Sequence, residues 1–334
     1  MNITDMPLPE IPVIDVTGDV PTLGIAEAAE DRLEALFAAA EAHYGRRFIA
    51  VADKILRRWG RRNSTPYRGE IRAFASRLSV PGGWFLNVGS SFTGITGIQA
   101  DPDTGAMQML RVLDHPLSGL GRGLVAAWQQ GPSGPYLSLT WPGFAGVVTG
   151  IAGGRFAAAF NQAPLPNRRL GYWGDWTASR LGIWRSREMP PTHLLRQVFE
   201  HCTSYSDACH ALIHGPICVS AIFTVVGTRP GEGCVIERTT QQAWVHPAPT
   251  VAAAKHWQAS DLQGRTRADA NPESHLYMTE LLNKPLEDGF GWLTPPLLNT
   301  ATRLAATLHP ASGQVTIQGH EATGPATLPL SLVL

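Results

Sequence analysis

The sequence predicts an α+β protein in which antiparallel sheets are covered by helices, and three observations predict it. Only 16% of the 334 residues are charged while 44% are hydrophobic, against roughly 25% charge in an average soluble domain. That supply of apolar residues fills one large core or two ordinary ones. Glycine (34), proline (26) and tryptophan (10) are abundant, which marks many tight connections between sheet elements. Finally, strand-like and helix-like segments come in blocks rather than one by one, which argues against a regularly wound parallel sheet.

Residues 1–22 form a Pro-rich leader. The following IAEAAEDRLEALFAAAEAHYGRRFIAVADKILRRW carries apolar residues at helical spacing with abundant Ala and Leu, and predicts one long helix or two. GRRNSTPY breaks the pattern, and RGEIRAFASRLS predicts a further helix that stops at Pro81-Gly82-Gly83. Then the texture changes. GWFLNVG, GITGIQA, MQMLRVLD, GLVAAWQQG and PYLSLTW are short apolar or alternating runs split by turns such as DPDTG, the pattern of an antiparallel meander. GVVTGIAGGRFAAAFNQ continues it as two strands joined at Gly153-Gly154. Helices are expected in TASRLGIWRSRE, HLLRQVFEH and YSDACHALIH, then strands in VSAIFTVVGT, GCVIERTTQQAWVH and TVAAAKHW. SHLYMTELLN predicts a last helix and RLAATLHPASGQVTIQG a terminal hairpin. GLGRG, Gly119 to Gly123, lacks the Lys-Ser/Thr of a phosphate-binding loop and reads as a turn. The division expected is a leader and helical segment over 1–79 and a sheet-based domain over 80–334.

Lys+Arg and Asp+Glu balance at 27 each, so no net field draws nucleic acid or an anionic membrane surface, and neither is expected as a partner. The start, MNITDMPLPEIPVIDV, lacks the basic and apolar regions of a signal peptide, and no apolar run approaches the roughly 18 residues of a membrane span. The expectation is a soluble, cytoplasmic protein. Cys202, Cys209, Cys218 and Cys234 contain no CxxC pair, which excludes a zinc ribbon. His210 and His214 stand one helical turn apart near His201, Cys202 and Cys209. Their spacing fits no standard zinc pattern, and packing of the cysteines inside two short helices is the simpler reading. No metal and no cofactor are expected.

At RVLDHP, PGFAGVVTGIAGGRFAAAFNQAP, VVGTRPGEGCVIERT and AAAKHWQ, the order and spacing of segments resemble the N-terminal nucleophile hydrolases of the acid ceramidase, N-acylethanolamine amidase and penicillin acyltransferase group. The likeness covers roughly residues 65 to 320. It implies a four-layer αββα sandwich of two antiparallel sheets, with the Ala-rich helices outside as a propeptide-like segment. It also implies a precursor that cuts itself before an internal cysteine, whose thiol becomes the nucleophile and whose new α-amine becomes the base. In that family the cysteine opens a strand as Cys-Thr-Thr or Cys-Thr-Ser, and Arg-x-x-Asp ahead of an aromatic follows a strand and a turn later. Here Arg111-Val112-Leu113-Asp114 matches the second element, with His115 in place of the aromatic. Counting back sets the nucleophile slot on Gly94, or on Ile95 after a slip of one. Neither carries a nucleophile. Where the family has an oxyanion-holding Asn before the AAAKHW-like motif, this chain has Lys255, one of only three lysines beside Lys54 and Lys284. Asn161, His256, Arg265 and Arg267 fall where the family has polar pocket residues. Cys202 in His-Cys-Thr-Ser has no Arg-x-x-Asp downstream and is set aside.

The first expectation is therefore a relative of the linear-amide hydrolases and acyltransferases that has lost its self-processing cysteine. It keeps a pocket for an acylated amine or amide lined by Arg111, Asp114, Asn161, Lys255, His256 and Arg267. The alternative is an active enzyme recruiting Thr93, Thr96 or Ser90. Against it, one step along a strand turns a side chain to the other face of the sheet, so Thr93 or Thr96 needs a bulge or register change to reach the slot. A third reading is a structural or partner-binding role on the same scaffold. A homo-oligomer is compatible with all three.

Overall fold

The computed structural model describes residues 7–18, 20–89, 92–101, 104–265, 272–284 and 289–334. The N-terminal part contributes β1 (Val13–Asp15), α1 (Pro21–Ala28), α2 (Glu30–Tyr44), α3 (Arg46–Gly60) and α4 (Arg68–Arg77). The expected one or two long helices are three. The chain leaves helical geometry at Ala29, with φ −133°, and again at Gly45, with φ +83°, a left-handed value that glycine adopts at no steric cost.

GWFLNVG does not form the expected strand. Phe85–Gly89 is a π-helical turn. Its backbone is claimed by distant side chains: Asp53 Oδ1 accepts the amide N–H of Trp84 at 2.8 Å and of Phe85 at 3.1 Å. Asn87 Nδ2 donates to the carbonyls of Gly83 and Gly143 at 2.8 and 2.9 Å. Capping across the fold overrides a local apolar pattern here.

The meander follows as β2 (Thr93–Ala100), β3 (Met107–Asp114), β4 (Val125–Gly131), β5 (Gly134–Thr140), β6 (Thr149–Ala152), β7 (Phe156–Gln162) and the short β8 (Leu165–Pro166). Helices α5 (Gly171–Arg185), α6 (Pro191–His201) and α7 (Tyr205–His214) come next. Ser204 caps α7, its hydroxyl accepting the Asp207 N–H at 3.1 Å. Then come β9 (Ala221–Gly227), β10 (Gly233–Arg238), β11 (Ala243–Pro247), β12 (Val251–Ala253), β13 (Gly264–Arg265) and α8 (Pro272–Leu281). The chain ends in β14 (Thr302–His309), β15 (Gln314–Glu321), β16 (Gly324–Pro325) and β17 (Leu330–Val333).

Two large sheets result. One has the order β1-β4-β5-β6-β7-β9-β10-β11, the other β12-β2-β3-β14-β15 with β16 and β17 on β15. Nearly every pairing is antiparallel; the leader supplies the exception, β1 running parallel to β4. Between the sheets lies an apolar core that includes Ile98, Met109, Leu113, Leu304 and Ile317, while Phe156, stacked on Phe199 of α6, shares the outer face of the first sheet with Phe223 and Val225. Helices α6 and α7 pack on the first sheet and α8 on the second, which gives the layer order αββα.

The N-terminal helices are bolted to this sandwich through one buried cation. Arg196 of α6 pairs with Glu70 of α4 at 3.1 Å and with Glu200 at 2.8 Å, and its guanidinium lies 4.1 Å from the ring centroid of Tyr67. Tyr67 in turn donates to Glu200 at 2.6 Å, and Glu70 accepts the amide N–H of Thr22 in α1 at 2.6 Å.

Candidate active site

The β2–β3 hairpin decides which residue occupies which face. Thr93 stands opposite Asp114, Gly94 opposite Leu113 and Thr96 opposite Arg111. Directly opposed residues on antiparallel strands share a face. Thr93, Ile95 and Asp114 therefore look toward the α8 layer, where Ile95 packs with Val112, Met278 and Leu282. Thr96 and Arg111 look into the space between the sheets.

On the α8 side, Asp114 is an acceptor for three groups. Lys255 Nζ lies 3.0 Å from its Oδ2, and Asn299 Nδ2 and Thr302 Oγ1 lie 3.3 and 3.4 Å from its Oδ1. The Thr93 hydroxyl, also buried, donates to the Asp114 carbonyl at 3.1 Å. Lys255 arrives because β12 pairs Ala253 with Thr96 and Val251 with Ile98, a register that delivers residue 255 to the start of β2.

Between the sheets, Arg111 is fully buried. Its Nη1 donates to Asn161 Oδ1 at 2.6 Å and its Nη2 to the Phe160 carbonyl at 2.9 Å. Burial pulls its pKa down to about 9, opposed by the charge of Asp114. Thr96 Oγ1 shares a hydrogen bond with Thr224 Oγ1 at 2.6 Å, which occupies it in holding the two sheets together. Arg111 and Asn161 thus form one buried pair, and Asp114 and Lys255 another, on opposite faces of β3.

The other expected positions scatter. His256 packs against His275 with ring centroids 4.5 Å apart, and burial lowers its pKa. Arg265 pairs with Asp175 at 3.2 Å. Ser90 and Arg267 lie outside the described residues.

Gly94 has φ +153°, and a Cβ built on it falls 2.2 Å from the Val112 carbonyl oxygen and 3.0 Å from Leu113 Cα. Both are backbone atoms of the paired strand, so no rotamer relieves the clash. Gly94→Cys is expected to destabilise the fold by about 1–3 kcal/mol or more, read as a lowered urea midpoint, and to show no thiol-dependent turnover. An equally stable Gly94→Cys protein would contradict this geometry.

Sequence reasoning missed the residue just before Thr93. Phe92 stacks on Trp141 at 5.4 Å between centroids and meets Phe144 edge-on at 5.3 Å. Its carbonyl oxygen accepts the Gln162 amide N–H at 2.9 Å. Two clefts, each of about 550 Å³ including its mouth, meet at this ring. The apolar one is walled by Phe37, Tyr44, Phe85, Leu86, His115 and Leu120, the more polar one by Asn87, Phe160, Gln162, Arg180, Ile183 and Thr192.

Among the described residues no three His, Cys, Asp or Glu side chains are grouped as metal ligands, and no helix is long and apolar enough to cross a membrane.

No family model matches the chain. The N-acylethanolamine-hydrolyzing acid amidase of Oryctolagus cuniculus is 26% identical over 195 residues, spanning 57% of this chain and 52% of that protein. The acid ceramidase of Homo sapiens is 31% identical over 106 residues, spanning 31% of this chain and 25% of that protein. The chain thus spans about half the length, or less, of the curated relatives it matches. Among solved structures, the Caenorhabditis elegans N-acylethanolamine-hydrolyzing acid amidase ortholog superposes with a TM-score of 0.51 at 18% identity, covering 65% of this chain and 93% of that one. The layered sheets and these sequence relatives agree: the chain is a homologue of acid amidases and acid ceramidases, with the αββα fold of the solved amidase it resembles.

Proposed function

We propose that the chain is an amide hydrolase or acyltransferase that cuts itself between Phe92 and Thr93 and uses Thr93 as its nucleophile. One observation carries this reading: Thr93, not Gly94, stands opposite Asp114 in the hairpin, on the face that holds the Asp114–Lys255 ion pair. The regular register of β2 against β3 supports this reading, since it sets Thr93 on the Asp114 face with no bulge between them.

The chemistry follows from the groups at that junction. The Thr93 hydroxyl attacks the Phe92 carbonyl carbon, an ester bond forms, the peptide C–N bond breaks, and the hydroxyl proton ends on the released α-amine. Water then hydrolyses the ester, leaving a Phe92 carboxylate. Negative charge on the Phe92 oxygen during attack is met by the Gln162 N–H already bonded to it, an arrangement whose loss costs about a hundredfold to a thousandfold in comparable sites. After cleavage the free amine of Thr93 acts as base for its own hydroxyl. The Lys255 ammonium, fixed by Asp114, stabilises the oxyanion or alkoxide that develops on this face.

The substrate class follows from the clefts. The apolar cleft suits the hydrocarbon of an acyl group and the more polar one its amine half, so an N-acyl amine fits across the Phe92–Thr93 junction. This agrees with the N-acylethanolamine named for the amidases it is similar to.

The test is the intact mass of the purified protein. Two fragments meeting between residues 92 and 93, the second beginning with Thr93, are expected, with co-elution in gel filtration because Arg196 ties the first to the second. A single chain of 36.0 kDa that hydrolyses no N-acyl amide returns the protein to the first expectation, a binding scaffold without a nucleophile.

A further inference from the structure

All four cysteines are free, and two of them meet. Cys209 Sγ of α7 lies 3.5 Å from Cys234 Sγ of β10, a contact that joins the outer helix layer to the first sheet. The sheet register arranges this. Cys234 stands opposite Val225 and Val235 opposite Thr224. Because Thr224 looks inward to Thr96, Cys234 looks outward, toward α7. On that helix Tyr205 and Cys209 are one turn apart and pack on the same part of the core. The Tyr205 hydroxyl bonds to the same two sulfurs.

Cys202 and Cys218 provide the contrast. Both are buried, and burial pushes their thiols up to about 11 and about 12, the state of a cysteine used for packing alone. Cys209 and Cys234 differ from them. The bond they share pushes the Cys209 thiol up and the Cys234 thiol down, and the Tyr205 hydroxyl adds to the second effect. Cys209 is thus the donor and Cys234 the stronger nucleophile. Access is opposite: Cys209 is half-buried while Cys234 is 1% exposed, so a small solute reaches the pair through Cys209.

We infer that Cys209 and Cys234 are an oxidisable dithiol that a peroxide closes to a disulfide in the folded chain, stapling α7 to the first sheet. The Cys209 sulfur attacks one peroxide oxygen, the O–O bond breaks, and the thiol proton leaves with the other oxygen as water. A sulfenic acid remains on Cys209. Cys234 then attacks the Cys209 sulfur, the S–S bond forms, the S–O bond breaks, and the departing oxygen leaves as a second water with the Cys234 proton. The two thiols lose two electrons and two protons, and the peroxide is reduced. The sulfurs must approach by about 1.5 Å to reach the roughly 2.05 Å bond. Side-chain rotation covers that, and the backbones stay in place: β10 is paired by β9 on one side and β11 on the other, and α7 is capped by Ser204. Neither sulfur lines a cleft, so the staple acts on the lifetime of the fold rather than on the Phe92–Thr93 junction.

The experiment treats the reduced, folded protein with hydrogen peroxide, unfolds it, alkylates the remaining thiols and reads the intact mass and the cross-linked peptides. Both cysteines follow Thr93, so cut and uncut chains answer alike, and the outcome is independent of the proposed hydrolase. Two of the four thiols are expected to vanish with the loss of two hydrogens, in a peptide pair joining Cys209 to Cys234, and dithiothreitol should restore both. The oxidised form should show an unfolding constant in urea lowered on the order of a hundredfold. Cys234→Ser should stop at a Cys209 sulfenic acid that dimedone traps, whereas Cys209→Ser should leave the Cys234 thiol intact. Four alkylatable thiols after peroxide overturn the inference. So does a cross-link that involves Cys202 or Cys218, or one that forms as fast in concentrated urea, since the folded placement then has no part in it.

Discussion

Replacing Thr93 by alanine is expected to leave the chain in one piece and to lower turnover of an N-acyl amide on the order of a millionfold, the usual consequence of deleting a hydrolase nucleophile. The same substitution should barely affect stability, because it removes one hydrogen bond, to the Asp114 carbonyl, worth about 1 kcal/mol. That contrast separates a chemical role from a structural one. Thr93→Ser keeps the hydroxyl on the same face and should still cut, as should Thr93→Cys, whereas Thr96→Ala should cut normally because Thr96 faces the other sheet and pairs with Thr224. Mass spectrometry of the four variants reads all of this at once. If Thr93→Ala cuts as the wild type does, Thr93 is an ordinary strand residue.

Acid should unfold the protein early. His115 and His193 are buried, and burial pushes both down to about 3 from the ordinary 6.5, helped by Arg303 and His43 at the first and Arg196 at the second. At His115 the Leu117 N–H donates to Nδ1 at 3.0 Å, which leaves no room for a proton there, and Thr65 Oγ1 lies 2.8 Å from His193 Nδ1. A histidine with a depressed folded pKa contributes stability that is complete above 6.5 and is lost as pH falls from there toward 3, since the unfolded chain takes up the proton first. Two such groups forfeit about 5 kcal/mol between pH 6.5 and 4.5. Urea midpoints at the two pH values measure it, and His193→Gln should remove about half of the slope. A midpoint that holds constant over this interval would falsify the account.

Much of the fold was legible. The period-2 runs and Gly- or Asp-rich turns marked the meander because each strand there makes local hairpin pairings, as β2 with β3 and β4 with β5 do. GWFLNVG misled because its backbone is capped by Asp53 and Asn87, partners that sequence distance conceals. The long N-terminal pattern broke at Ala29 and Gly45, where only the second position announces itself. At the candidate site, Arg111, Asp114, Asn161 and Lys255 could be named from their place in the series of segments. Which of them touch could not, because that depends on the faces of β3 and on the register of β12. A count back through DPDTG ends on Gly94, whereas the paired strands set Thr93, and not Gly94, opposite Asp114.

Phe92 forms a shared wall of the two clefts, wedged against Trp141 and Phe144. As long as it is joined to Thr93, its ring is pinned from both sides, by the aromatic stack and by the strand that begins at the next residue. A cut at that bond turns the residue into a chain end. The new carboxylate would then lie beside the Gln162 N–H that held the former carbonyl, and the ring would be held by the aromatic stack alone. If the proposed cut occurs, one event frees the Thr93 amine and at the same time loosens the wall that Phe92 forms between the two clefts.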